Sequence, residues 1–71
     1  MKLAKIIKQA GSGWQLRDGT RLNPPVGTIV QYYHDAEMYF YKICFPGCTV
    51  ELGMPYFVFN MYFEGLTDAN S

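Results

Sequence analysis

The sequence predicts a mainly β protein, folded as a small five-stranded antiparallel barrel. Runs rich in β-branched and aromatic residues occupy positions 28–33, 38–45, 48–52 and 56–63, and this composition is typical of strands. Turn sequences such as Pro46-Gly47 separate the runs. The chain has 71 residues, which is enough for one domain with a single small core. We therefore expect one domain over residues 1–71.

The first segment, residues 2–10, allows two interpretations. Its apolar residues fall at helical spacing, which predicts a short N-terminal helix ending at Gly11: Leu3, Ile6, Ile7 and Ala10. A helix of only about nine residues is marginal on its own, so a first β-strand is the competing interpretation.

The runs 38–45 and 48–52 are predicted to pair as a hairpin. Lys42 is expected to face water, which turns its neighbours Tyr41 and Ile43 toward the core. One register keeps all charged side chains outside, and it pairs three positions: Ile43 with Val50, Tyr41 with Leu52 and Lys42 with Glu51.

Residues 34–37 are predicted to form the loop of a second hairpin that shares this inner face. In this register Tyr33 lies opposite Met38. Two further pairs then fall inside: Tyr32 with Tyr39 and Val30 with Tyr41.

The last run, 56–63, is predicted to be a strand that completes the sheet. Alternate residues give it one wholly apolar face: Phe57, Phe59, Met61 and Phe63. Seven of the twelve aromatic residues are thereby assigned to the inner face of the sheet: Tyr32, Tyr39, Tyr41, Phe45, Phe57, Phe59 and Phe63.

The order of these elements resembles that of the SH3-like barrel. In that fold a long loop joins the first two strands and a short helical turn precedes the last, positions taken here by residues 11–25 and 53–56. The resemblance lies in element order alone. Peptide-binding SH3 domains use paired tryptophans and an acidic loop, whereas Trp14 is the only tryptophan here, so that activity is not implied. An α+β fold, with an N-terminal helix packed on an antiparallel sheet, is the alternative.

Several function classes are not expected from this sequence. The longest nearly apolar stretch, residues 54–63, has ten residues, whereas a membrane span needs about 20. Lys5 and Lys8 interrupt the N-terminal segment, so we expect no signal peptide and a cytoplasmic location. His34 has no nucleophile or paired carboxylate in a recognisable motif. We therefore expect no enzyme activity and no cofactor.

Cys44 and Cys48 are the two cysteines, and they flank the predicted turn. The predicted register places them on opposite faces of the hairpin. No second cysteine pair or histidine motif completes a zinc site. We expect free thiols and no metal.

The charges are unevenly distributed, although the net charge is zero. Residues 1–21 have a balance of +4 and residues 22–71 a balance of −4. An alternative function, nucleic-acid binding by a small barrel, would use the basic residues of the first segment: Lys2, Lys5, Lys8, Arg17 and Arg21. A nucleic-acid-binding module is usually basic overall, so this remains the second hypothesis.

Four large apolar residues are predicted to lie side by side on the outer face of the sheet: Ile29, Tyr33, Met38 and Phe40. Contiguous exposed apolar surface indicates an interface more often than chance. Alternatively, Trp14 or Leu16 of the long loop covers these residues within the chain. We expect a small non-catalytic binding module that engages a protein partner, or itself as a homodimer.

The small size and the acidic segment 22–71 add one expectation about the partner. Small chains without catalytic motifs are often inhibitors or adaptors encoded by phages and mobile elements. Carboxylates would steer such a protein toward a basic surface: Asp35, Glu37, Glu51, Glu64 and Asp68.

Overall fold

The computed structural model describes residues 1–37 and 39–66, and strands predominate in them. Within these residues the elements follow in this order: β1 Lys2–Ile6, β2 Trp14–Gln15, β3 Arg21–Leu22, β4 Ile29–Asp35, β5 Phe40–Cys44, β6 Leu52–Pro55, α1 Tyr56–Tyr62 and β7 Phe63–Gly65. The predicted mainly β fold is confirmed.

Five of the strands form one antiparallel sheet in the order β6-β5-β4-β1-β7. β1 lies inside this sheet, where Ala4 is opposite Val30 on one side and Gly65 on the other. The connection from β1 to β4 carries a separate hairpin of β2 and β3, and α1 lies between β6 and β7. The sheet curves into a half barrel, and the predicted long connection between the first two strands of this sheet is present. The helical turn predicted at residues 53–56 is wrong, because β6 occupies Leu52–Pro55 and the helix follows it.

The core lies on the inner face of the sheet, where α1 and the β2–β3 hairpin pack. Phe59 and Phe63 stack with ring centroids 5.3 Å apart, and the Trp14 ring lies 5.9 Å from that of Phe63. The buried cluster has contributions from most elements: Ala4, Ile6, Leu16, Val30, Ile43, Phe45, Met54, Phe59 and Phe63. Trp14 and Leu16 therefore pack on the inner face and do not cover the outer one.

The N-terminal segment is a strand, so the helical interpretation of residues 2–10, and with it the α+β alternative, is wrong. β1 pairs with β4 and β7, which satisfies its backbone on both sides. Ala4 and Ile6 are buried, with only 0% and 1% of their surface exposed, whereas Leu3 and Ile7 are exposed. Pairing on both sides stabilises this segment as a strand, whereas an isolated helix of about nine residues is marginal because its nucleation is costly.

The β5–β6 pairing is displaced by two residues from the predicted register. Ile43 lies opposite Leu52, Tyr41 opposite Met54 and Lys42 opposite Gly53, so the predicted partners Val50, Leu52 and Glu51 are wrong. Each residue keeps its face, because the side-chain period of a strand is two. In the observed register Met54 is buried, with only 3% of its surface exposed. The predicted turn itself is present, since the amide of Cys48 donates to the carbonyl of Phe45 at 3.1 Å.

The β4–β5 pairing is displaced by four residues, because β4 continues as far as Asp35. Asp35 lies opposite Phe40 and Tyr33 opposite Lys42. The predicted β4–β5 pairs are therefore wrong: Tyr33 with Met38, Tyr32 with Tyr39 and Val30 with Tyr41. Tyr39 belongs to the turn and is 79% exposed, so its assignment to the inner face is also wrong. Met38 lies outside the described residues.

Residues 56–62 form the helix α1, so the predicted last strand over 56–63 is wrong except at its end. Pro55 has φ −65° in an extended conformation and precedes the first helical residue. The helical turn directs Phe59 inward at 3% exposure, whereas Phe57 and Met61 are 68% and 50% exposed. The predicted apolar face of Phe57, Phe59, Met61 and Phe63 is therefore divided between core and surface.

Candidate functional site

Three of the four residues predicted for a protein interface are placed on the outer face of the sheet: Ile29, Tyr33 and Phe40. The fourth, Met38, lies outside the described residues. Lys5 is opposite Ile29, and Lys42 is opposite Tyr33. Charged side chains therefore interrupt the apolar surface that the predicted register made continuous.

Glu51 ties the outer face of β4 to the loop that precedes β6. The Tyr33 hydroxyl donates to Glu51 Oε1 at 2.8 Å, and the Cys44 thiol donates to Glu51 Oε2 at 3.7 Å. The hydrogen bond to Glu51 is the largest cause that raises the pKa of Tyr33, followed by burial. Both donors hold the loop against the sheet and help to leave Tyr33 half-buried.

Cys44 and Cys48 are free thiols, and both line a cleft of about 480 Å³. Cys48 packs against the buried core, whereas Cys44 contacts Glu51 on the outer face, in agreement with the predicted opposite faces. Arg17 and Asp18, from the β2–β3 connection, line the same cleft. Burial, and then the neighbouring charge of Glu51, raises the pKa of Cys44. The raised pKa keeps the Cys44 thiol protonated and makes it a poor nucleophile.

The five basic residues predicted for nucleic-acid binding are distributed over separate surfaces. Lys2 and Lys5 belong to opposite faces of β1, since three residues separate them along a strand. Lys8 Nζ lies 5.8 Å from the ring centroid of Tyr62. Arg21 is held at the β2–β3 hairpin by hydrogen bonds from its guanidinium. Arg17 lines the cleft that Cys44 and Cys48 also line.

The largest exposed apolar side chains near α1 define a surface that we name the aromatic rim: Tyr39, Tyr56, Phe57 and Met61, exposed at 79%, 55%, 68% and 50%. Phe40 lies opposite Pro55, so Tyr39 and Tyr56 occupy the next positions along the chain beyond this end of the β5–β6 pair. The other two residues lie one helical turn apart on α1. The sequence prediction placed three of the four in the core or on the inner face, and so missed this surface.

Tyr39 has a strained backbone. Its φ is +57°, and it is the one non-glycine residue with positive φ among those described. The left-handed region costs a bulky residue roughly 1–2 kcal/mol. Strain of this kind clusters at functional sites, and here it accompanies the most exposed aromatic side chain of the rim.

The inner face of the sheet is open at the end near the β4–β5 turn. A cleft of about 320 Å³ lies there, which we name the tyrosine cleft, and its lining is Met1, Lys2, Tyr32, Tyr33, His34 and Tyr41. The ring of Tyr41 lies 5.7 Å from that of Tyr32, with an angle of 11° between their planes, and 5.2 Å from that of His34. The ring of Tyr56, a residue of the rim, also lies 5.2 Å from that of Tyr41. The cleft and the rim therefore adjoin.

The described residues bring together no group of three or more His, Cys, Asp or Glu side chains suited to a metal ion. None of the helical structure in 1–37 and 39–66 has the length and apolar character needed to cross a bilayer.

Comparison of the chain with protein-family models, with curated proteins and with solved structures gave no significant match. The functional interpretation therefore depends on the chemistry of the chain's own surfaces.

Proposed function

We propose that the protein is a non-catalytic binding module that engages a protein partner through the aromatic rim. The exposure of the rim supports this proposal most directly. Phe57 and Tyr39 leave 68% and 79% of their surface in contact with water, although burial of such rings is the main source of stability for a small domain. Large apolar patches of this kind mark interfaces more often than free surface.

The residue types of the rim also suit an interface. Aromatic residues and methionine are enriched at interface centres, and tyrosine is frequent among the residues that dominate binding energy. Tyr56 is supported from behind by Tyr41, which packs in turn on Phe59 with ring centroids 4.9 Å apart. Such support orients an anchor before binding and so reduces the entropy cost of association.

The charge beside the rim favours a basic partner. Glu37 belongs to the same turn as Tyr39 and is exposed, whereas Glu64 lies opposite Lys5 on the outer face of the sheet. Carboxylates beside an apolar patch complement a partner surface that combines lysine or arginine with apolar side chains, and they disfavour pairing with a second copy. A module that covers a basic site would act as an inhibitor or adaptor of its partner. The two free thiols suit the reducing cytoplasm.

The proposal can be tested by affinity capture with three forms of the protein. Wild type, Phe57→Ser and the matched control Val26→Ser are immobilised and exposed to lysate of the source cell. Val26 is also an exposed apolar residue, at 57%, but it lies in the connection before β4. We expect a partner with a basic contact surface that wild type and Val26→Ser retain and Phe57→Ser loses.

Two results would contradict this assignment. Equal capture by wild type and Phe57→Ser, with loss on Ile29→Ser or Phe40→Ser, would move the interface to the outer face of the sheet. A stable homodimer in solution that Phe57→Ser dissociates would replace the basic partner with a second copy of the chain.

A further inference from the structure

We propose that the tyrosine cleft binds a nucleotide unit, with the base stacked on its aromatic side chains and the phosphate held by Lys2. This site adjoins the protein interface proposed for the rim, since Tyr56 contacts Tyr41, but the two have no residue in common. It also differs from a surface built from all five basic residues, because Lys2 is the one member of that set that lines the cleft.

The register gathers four of the cleft residues on the inner face of three neighbouring strands: Lys2, Tyr32, His34 and Tyr41. Lys2 on β1 is opposite Tyr32 on β4, and His34 on β4 is opposite Tyr41 on β5. Tyr32 and His34 share the inner face because they are two residues apart. The pairs therefore place a cation at one side of the cleft and rings across the remainder.

The aromatic side chains of the cleft are partners on which a base can stack. The rings of Tyr32 and Tyr41 are nearly parallel, with 11° between their planes and centroids 5.7 Å apart, and both residues are half-buried. Phe59 supports both rings from the core, with centroids 4.8 Å from Tyr32 and 4.9 Å from Tyr41. Base stacking on such rings contributes about 1–3 kcal/mol per base and tolerates any base.

The charges of the lining favour an anion. Among the described residues that line the cleft, Lys2 has a positively charged side chain, His34 adds an imidazole, and none has a carboxylate. Asp35 follows His34 in β4 and so belongs to the outer face. Lys2 and His34 are both exposed, so a phosphate can reach either one without displacing the core.

The volume of the cleft, about 320 Å³, is at the lower end of the range for small-molecule sites. It suits one base with its phosphate. A free mononucleotide and one unit of a single strand present the same chemistry here.

Titrations followed by NMR test the proposal and distinguish the two sources. Adenosine monophosphate, uridine monophosphate and a short single-stranded oligonucleotide are added separately at low salt, with ribose 5-phosphate as the control that lacks a base. We expect ring resonances of Tyr32, His34 and Tyr41 to shift with the nucleotides and not with the control. Stronger binding of the oligonucleotide would identify a single strand as the source, and equal binding per unit would identify the free nucleotide.

Lys2→Gln and Lys5→Gln form a matched pair, since the same charge is removed from the two faces of one strand. We expect Lys2→Gln to weaken binding about tenfold, the value of one charge-assisted hydrogen bond. For the oligonucleotide it should also reduce the slope of log K against log salt by about 0.7. Lys5→Gln and Phe57→Ser should leave nucleotide binding intact, which separates this site from the rim. The proposal is overturned by unshifted cleft resonances, by equal shifts with ribose 5-phosphate, or by equal effects of the two lysine variants.

Discussion

Phe57 and Phe59 lie two residues apart on α1 and have opposite environments: the Phe57 side chain is 68% exposed, whereas that of Phe59 is only 3% exposed. Residues two apart share a face in a strand, whereas in a helix they diverge. The pair therefore reports directly on the conformation of residues 56–62, and it separates the apolar residues that stabilise the fold from those available to a partner.

Phe59→Ala should lower the free energy of unfolding by about 3–5 kcal/mol, because it opens a cavity beneath Phe63 and Tyr41. Phe57→Ala should change it by less than about 0.5 kcal/mol, since the side chain is mostly in water. Urea denaturation of the two variants provides the comparison. Similar large losses for both would mean that residues 56–63 form a strand with one apolar face.

Glu51→Gln should lower the pKa of Tyr33 toward its ordinary value, because the amide no longer opposes ionisation of the phenol. The pKa of Tyr33 is higher in the folded than in the unfolded chain. The hydrogen bond therefore stabilises the fold fully below pH about 10 and loses this effect as the pH rises through the raised pKa. Carbon-13 NMR of the Tyr33 ring in wild type and Glu51→Gln measures the change, and an unchanged pKa would contradict the hydrogen bond.

The same variant should also lower the pKa of Cys44 in part, since burial remains and only the charge of Glu51 is removed. The Cys44 thiol should then react faster with a disulfide reagent at a fixed pH near 8. An unchanged rate at Cys44, measured by mass spectrometry of the labelled peptide, would contradict the contact between its sulfur and Glu51.

Gly13→Ala should destabilise the fold by about 1–3 kcal/mol. Gly13 has φ +85°, and an added Cβ would lie 2.5 Å from the carbonyl oxygen of Leu22, where β2 and β3 pair. Gly11→Ala is the matched control, because a Cβ there meets no atom within 4 Å. Thermal unfolding of the two variants tests the close approach of the strands, and equal melting temperatures would contradict it.

Tyr39→Gly should stabilise the fold by about 1 kcal/mol and weaken binding of the partner. Glycine adopts the positive φ of this position without strain, but it removes the ring from the rim. Denaturation and binding are measured on the same sample. If the strain at Tyr39 serves binding, the free energy of unfolding rises in the variant while its affinity for the partner falls. A variant that binds as tightly as wild type would show that Tyr39 is not part of the interface.

The inner and outer faces of the central strands could be predicted from the sequence, but the pairing between strands could not. Alternation around Lys42 fixes which neighbours point inward, and this holds for Tyr41 and Ile43. A displacement by two or four residues leaves those faces unchanged. The choice between such registers depends on distant contacts, such as the burial of Met54, that alternation does not encode.

The composition of residues 56–63 predicts a strand, whereas the structure has the helix α1 over most of this segment. Tyr, Phe and Val favour strands, yet tertiary contacts readily override this preference. One signal for a helix is present, since Phe59, Tyr62 and Phe63 are spaced by three and four residues and Pro55 precedes the segment. The rings of these three aromatic residues contact Trp14 or each other. A helix that turns these residues inward places Phe57 and Met61 at the surface, as the structure has them.

The affinity of Phe57→Ser for a purified partner tests the central claim most directly, namely that the aromatic rim is the interface. We predict that this variant binds at least about thirtyfold more weakly than wild type, the effect of losing one dominant interface residue. Its free energy of unfolding should stay within about 0.5 kcal/mol of the wild-type value. Unchanged affinity in a folded variant would contradict the claim, as would a loss of affinity that only follows unfolding.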